Sequence, residues 1–281
     1  MLCEMRLING SVVSRRIGPG GTGYVTDLYR TDGVAEQNSQ DLESKFMSPL
    51  DHGAATAMQG ILAGRPLIPQ ERAPWARFVL SMLFRHPESV DTLKTHSADM
   101  WAEATAALEA VWAAERAPGD NTTFAEVTAK REPGAVGTSA ANLLADVIAN
   151  SRAVPDICKM RWTCVDLSQS PITLLTSDRP LVMPFGLDDP KAYLALPMGP
   201  RHLFVAAYGD QYAKALRANG HGKIVKIINK EVVRQARETV WDTDDANIEF
   251  VRKHIGKAPE RVILTGEQRQ EILAAARGEA A

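Results

Sequence analysis

The run Leu174-Leu175-Thr176-Ser177-Asp178-Arg179-Pro180 sets hydroxyls, a carboxylate and a guanidinium at the end of an apolar stretch, Ile172 to Leu175. A carboxylate so placed can act as a base or a metal ligand, and an adjacent arginine can hold an anion. Asp178 is therefore the candidate catalytic group, and Ser177, Asp178 and Arg179 are candidate binding groups. Arg85 joins them, because it continues the apolar face of Phe78 and Met82. An arginine on such a face needs a carboxylate, a carbonyl or a bound anion. Trp162, in the segment that opens the strand-rich region, completes the expected lining, with Arg85 and Arg179 as the anion contacts. A plainer account competes. Ser, Thr and Asp at a strand end bond nearby N–H groups and shape a turn, and Pro180 keeps Arg179 extended. Arg85 would then tie its helix to a neighbour through an ion pair.

A metal-dependent alternative combines Asp178 with Asp189-Pro190-Lys191. Two acids would hold a divalent ion and Lys191 would position or activate water, as in nucleases and phosphoesterases. Pro190 counts against it, since such a triplet belongs in a strand and proline cannot donate to a ladder. Beyond that ion, no cofactor is evident. The histidines form no H-x-H or H-E-x-x-H pair, so no zinc motif is visible. Ser177 lacks the G-x-S-x-G setting of a nucleophile elbow. Gly18 to Gly23 is glycine-rich but lacks a Lys-Ser/Thr ending, and is a linker. Lys223, Lys226, Lys230, Arg234 and Arg237 would make a basic stripe on one continuous helix. Ile224-Val225 and Ile227-Ile228 look extended, however, and Asn229 is a good N-cap. That dissolves the stripe into a solvated helix face.

The elements that must position these residues come in blocks. Met5 to Ile8 and Val12 to Arg15 flank Asn9-Gly10, which predicts a hairpin. From 41 to 153 the spacing is helical. Helices are expected over 41–63, with Pro49 ending or kinking it, from about Pro74, over 88–116 and over 139–148. The period then changes. Segments 161–167, 172–175, 181–183, 193–196 and 202–207 are short and apolar and predict a small sheet. Helices return at 211–217, 229–240 and 246–255, and a last one begins near Thr265. Helices first and strands later predict an α+β fold. One domain over 1–281 is expected: hairpin and linker to 30, helical layer 38–155, sheet 159–208, and C-terminal helices from 209.

A 45% apolar, 23% charged chain of 281 residues is ordinary globular material. The net charge of −2 disfavours nucleic acid as the main partner, leaving a local basic patch open. Three cysteines in no paired spacing suit a reducing cytosol. No apolar run approaches a membrane span.

In order along the chain stand Asp27-Leu28-Tyr29, Leu42-Glu43, Leu62 to Leu67, Phe78 to Pro87 with its Arg85-His86-Pro87, and Trp162. Thr176 to Pro180, Leu196 to Pro200, and Asn229 with the helix after it follow. This order resembles the family called domain of unknown function 4238, over roughly Leu7 to Gly256. The family carries no activity, cofactor or partner to transfer. Its members usually open with a segment like His-x-Val-Pro-x-Phe-Tyr-Leu-Arg, which has no counterpart here. Either the start is misassigned or the segment is lost; if that histidine and arginine belong to the family's site, the resemblance implies an inactive or incompletely folded copy. The expected function is an intracellular binding or effector protein with an anion-binding cleft between helical layer and sheet. The alternatives are the metal-dependent hydrolase and a structural interaction module.

Overall fold

The computed structural model describes residues 1–259 except 32, 150, 151 and 210. It opens on a hairpin of β1 (Leu2–Ile8) and β2 (Ser11–Ile17). Asn9 and Gly10 both take positive φ, 49° and 79°, as a two-residue hairpin turn requires.

The helical layer begins with a π-turn over Leu42–Met47 that passes straight into α1 (Ser48–Leu62). Pro49 was expected to end or kink this helix. It sits instead in the first turn of α1, where its missing N–H costs nothing. The next helix, α2 (Pro69–Ser81), starts before the expected Pro74. Its entry is fixed by Glu71, whose carboxylate accepts from the Ile68 N–H at 3.1 Å and from both Arg65 Nη atoms at 2.9 and 2.7 Å. Pro74 lies inside this helix, and its ring packs against Gly53 of α1. A Cβ on Gly53 would lie 3.1 Å from it. The long α3 (Pro87–Glu115) has proline at its start and Glu88 in its first turn, the arrangement that suits a helix N-terminus. Two short helices, α4 (Phe124–Arg131) and α6 (Ala153–Lys159), flank α5 (Ala135–Ala149). A capping box between Thr123 and Glu126 starts α4.

The second half contains β3 (Arg161–Asp166), β4 (Thr176–Ser177), β5 (Tyr193–Gly199), β6 (His202–Ala207), α7 (Gln211–Ala218), α8 (His221–Gln235), β7 (Thr239–Asp242) and α9 (Ile248–His254). These strands make two antiparallel sheets, β3-β6-β5 and β2-β1-β7-β4, where a single sheet was expected. The fold is α+β. In β6, Phe204 and Ala206 join the core of the helical layer, while Leu203 and Val205 pack with Ile224, Val225, Ile228 and Val232 of α8. The period-2 alternation thus buries both faces, one under each helical layer. The other sheet packs Met5, Leu175 and Val240 against Val233 of α8 and Val251 of α9.

Two further expectations are overturned. The predicted extended stretch at 224–228 with a helix over 229–240 is instead one helix ending at Gln235, followed by a strand. Ile224, Val225, Ile228 and Val232 recur on one buried face, and packing overrides their β preference. Segments 172–175 and 181–183 contribute no full strand. Val182 makes a lone bridge to Ala195. The helix predicted from Thr265 lies outside the described residues. Among the described residues, no helix is long and apolar enough to cross a membrane.

Candidate functional site

The segment from Thr173 to Leu181 is bonded along the C-terminal half of α8. Asn229, expected as a cap, is buried in mid-helix. Its amide donates to the Thr173 carbonyl at 2.8 Å and accepts from the Leu175 N–H at 2.9 Å. One side chain therefore does what a neighbouring strand would do, which is why 172–175 forms no ladder. The Leu174 N–H goes to the Pro200 carbonyl at 2.9 Å. A turn further on, the buried Ser177 hydroxyl donates to the Val232 carbonyl at 3.2 Å and accepts from the Arg179 N–H at 3.1 Å. Gln235 then donates to the carbonyls of Arg179 and Leu181.

Asp178 closes this seam. Its Oδ1 accepts from the Arg237 N–H at 3.1 Å, and its Oδ2 from Glu238 and Thr239 at 2.7 and 3.1 Å. These N–H groups follow the C-terminal end of α8, and the carboxylate acts as their shared acceptor. Burial pushes the Asp178 carboxyl above its usual range, opposed by those three N–H donors and by Arg179. Both oxygens are committed to backbone, as the turn-forming account of this run requires.

Arg85 and Trp162 lie away from Asp178's contacts, each in its own set of neighbours. Arg85 lies just beyond α2 and forms an ion pair with Asp51 of α1 at 2.7 Å, with its guanidinium 5.5 Å from the Phe78 ring. The Trp162 Nε1 donates to the Ile157 carbonyl at 2.9 Å, and its ring makes a T-shaped contact with Phe204, centroids 5.3 Å apart. The Arg72 guanidinium lies over the Trp162 ring at 3.8 Å while donating to the Cys158 and Met160 carbonyls. Asp189 holds its own turn, accepting from the Lys191 N–H at 2.7 Å, and Lys191 is exposed. Among the described residues, no group of three or more His, Cys, Asp and Glu is placed to hold a metal ion.

Seaming 173–181 to α8 presents the Arg179 side chain to a cleft of about 610 Å³. The cleft opens where the end of α2, the start of α3, residues 179–184 and the C-terminal end of α8 meet. Of the five expected lining residues, Arg179 reaches it; Arg85, Trp162, Ser177 and Asp178 do not. Its charged wall comprises Arg179, Arg234 and Arg237 against Glu88 and Glu231, with His86 and His96 nearby. One oxygen of Glu88, Oε2, faces two guanidiniums. It meets Arg179 Nη2 directly and Arg237 Nε at 4.0 Å. The arginine side chains are sunk, 16% and 30% exposed, whereas Glu88 is 58% exposed. The Nε of Arg234 and the Nδ1 of His96 are buried without a hydrogen-bond partner. The unpartnered Arg234 Nε suits a group carrying an acceptor oxygen.

Sequence reasoning missed Glu88, His96 and the cleft role of Arg234 and Arg237. The signals were present. Pro87-Glu88 marks the start of a helix, and Arg234 and Arg237 end the basic series that had been set aside. No curated protein and no solved structure matches the chain. The family model described as Protein of unknown function (DUF4238) matches residues 2–246. That span takes in both sheets, the helical layer and α8, so the chain belongs to this family.

Proposed function

We propose that this is a binding protein whose cleft takes an anionic group, a phosphate or a carboxylate, between the helical layer and α8. The observation that carries the reading is the single Glu88 oxygen set between two sunken arginines. An internal carboxylate occupies the place that a ligand oxygen would take, and it reaches there from the solvent-exposed first turn of α3. An incoming anion would displace Glu88 and gain a bidentate contact with preorganised guanidiniums. Arg234, with an unpartnered Nε in the wall, supplies a further donor. The three cysteines are unpaired, and burial pushes each thiol up, so they stay protonated; a reducing cytosol fits them.

Calorimetric titration with inorganic phosphate and with phenyl phosphate tests the cleft. Wild type should bind in a salt-sensitive manner. Glu88→Gln, which removes the competing internal charge, should bind up to about tenfold tighter, or about 1.4 kcal/mol. Arg234→Ala should abolish the signal. Saturation that neither substitution alters, or the absence of binding in both wild type and Glu88→Gln, would refute the reading.

A further inference from the structure

Because α8 is continuous, the basic series is a physical stripe. At 100° per residue, Lys223, Lys226, Lys230 and Arg234 fall within an arc of about 80°, opposite the buried Ile224, Val225, Ile228 and Val232. Lys223, Lys226 and Lys230 are exposed, and the arc ends at Arg234 in the cleft wall. The stripe is about 16 Å long at 1.5 Å per residue. Its cations are spaced by about 4.5–6 Å, one for every one to two phosphates of a strand rising about 3.4 Å per nucleotide. Further cations gather beside it. Burial, and then the charges of Lys253, Lys230, Lys257 and Arg234, hold the His254 imidazole below its usual range. Ile227, 48% exposed, lies about 20° beyond the Arg234 edge of the arc and offers an apolar contact that a bare phosphate would not use. The overall charge of −2 does not cancel such a patch, because charges beyond about 8 Å are screened at physiological salt.

We infer that α8 and the cleft together form a track for single-stranded nucleic acid, its terminal phosphate held at Arg179, Arg234 and Arg237 and the following phosphates running over Lys230, Lys226 and Lys223. The inference rests on the anion-binding reading of the cleft and gives its ligand a class. Both contact types are backbone contacts, so binding should be tolerant of sequence and strongly dependent on salt.

The test compares four probes by fluorescence anisotropy or by competition: phenyl phosphate, a thymidine oligomer of about ten nucleotides with a 5′- or 3′-phosphate, the same oligomer without it, and a poly-glutamate peptide of equal charge. The phosphorylated oligomer should bind at least tenfold tighter than either the unphosphorylated one or phenyl phosphate. Replacing Lys223, Lys226 and Lys230 together by Ala should weaken the oligomer at least tenfold and flatten its log–log salt slope by about 2, leaving phenyl phosphate unchanged. The triple Lys→Arg variant should retain oligomer binding, which separates a charge effect from misfolding. If phenyl phosphate binds but the oligomer gains nothing, or the triple Ala variant binds it normally, the track is refuted and the cleft reading stands. The track is equally refuted if poly-glutamate binds as tightly as the oligomer. If phenyl phosphate is not held and Arg234→Ala leaves oligomer binding intact, the cleft reading fails and the track with it.

Discussion

A carboxylate that accepts three backbone N–H groups cannot be exchanged for an amide at no cost. Asp178 does this for Arg237, Glu238 and Thr239. Asparagine keeps the shape but offers one acceptor oxygen and turns an N–H₂ toward one of those donors. Asp178→Asn should therefore destabilise the protein by about 1–3 kcal/mol, seen as a lower urea midpoint with an unchanged m-value. An unaltered midpoint would mean that the seam does not depend on this carboxylate. The type of Asp178, beside Ser177 and Pro180, was legible as a turn signal in the sequence. Its partners were not, because they lie 59 to 61 residues away. Arg85 was likewise legible as an arginine that needs a carboxylate, and Asp51 supplies it. An aromatic in a strand, such as Trp162, has the same sequence signature whether it lines a cavity or packs against a ring, as it does here on Phe204.

At the scale of elements, local signals survived and long-range ones did not. The Asn9-Gly10 hairpin is set by its own turn, and α3 and α5 by their apolar period. α8 was misjudged because a run of Ile and Val fits both periods, and its layer partner β6 decides between them. β7 was missed because its neighbours are β1 and β4, far off in sequence. One packing contact between elements gives a direct test. Gly33 has φ of +79°, and a Cβ there would lie 2.3 Å from the Pro133 carbonyl oxygen, at the turn before α5. That approach closes one end of a second groove, between α3 and α5, lined by Met100 and Trp101. Gly33→Ala adds left-handed strain to a backbone clash and should cost more than about 1 kcal/mol. Trp fluorescence should report the loosening. An unchanged melting temperature would show that the loop simply moves aside.

For the whole molecule, α8 is the member that touches both sheets, through Val232 on one side and Val233 on the other. The sheet containing β1 carries a buried charge whose state follows pH. Glu4, 4% exposed, accepts from Arg15 Nε at 2.7 Å and from the Thr22 hydroxyl, which itself accepts from Trp241 Nε1 at 3.0 Å. Burial alone would raise its carboxyl. The hydrogen bonds from Thr22 and Arg15 and the charges of Arg15 and Arg6 outweigh that and hold it below its ordinary 4.5. With the folded value depressed, this stability is fully present above the unfolded value and is lost as pH falls through the folded one. Stability against urea should thus drop below about pH 4.5, and Glu4→Gln should shrink that drop while lowering stability at pH 7. A Gln variant with an identical acid limb would place the titration elsewhere.

The pairing of β1 with β7 also sets a schedule. Arg6 meets Glu238, 232 residues further on. At about 5–20 residues per second, a ribosome takes about 12–46 s to deliver that partner. Throughout that interval the hairpin is outside with one edge open. Charges at Glu4, Arg6, Arg15 and Arg16 mark its strands and discourage pairing with strangers. Among the described elements, an early hairpin thus waits for a late strand before its sheet can close.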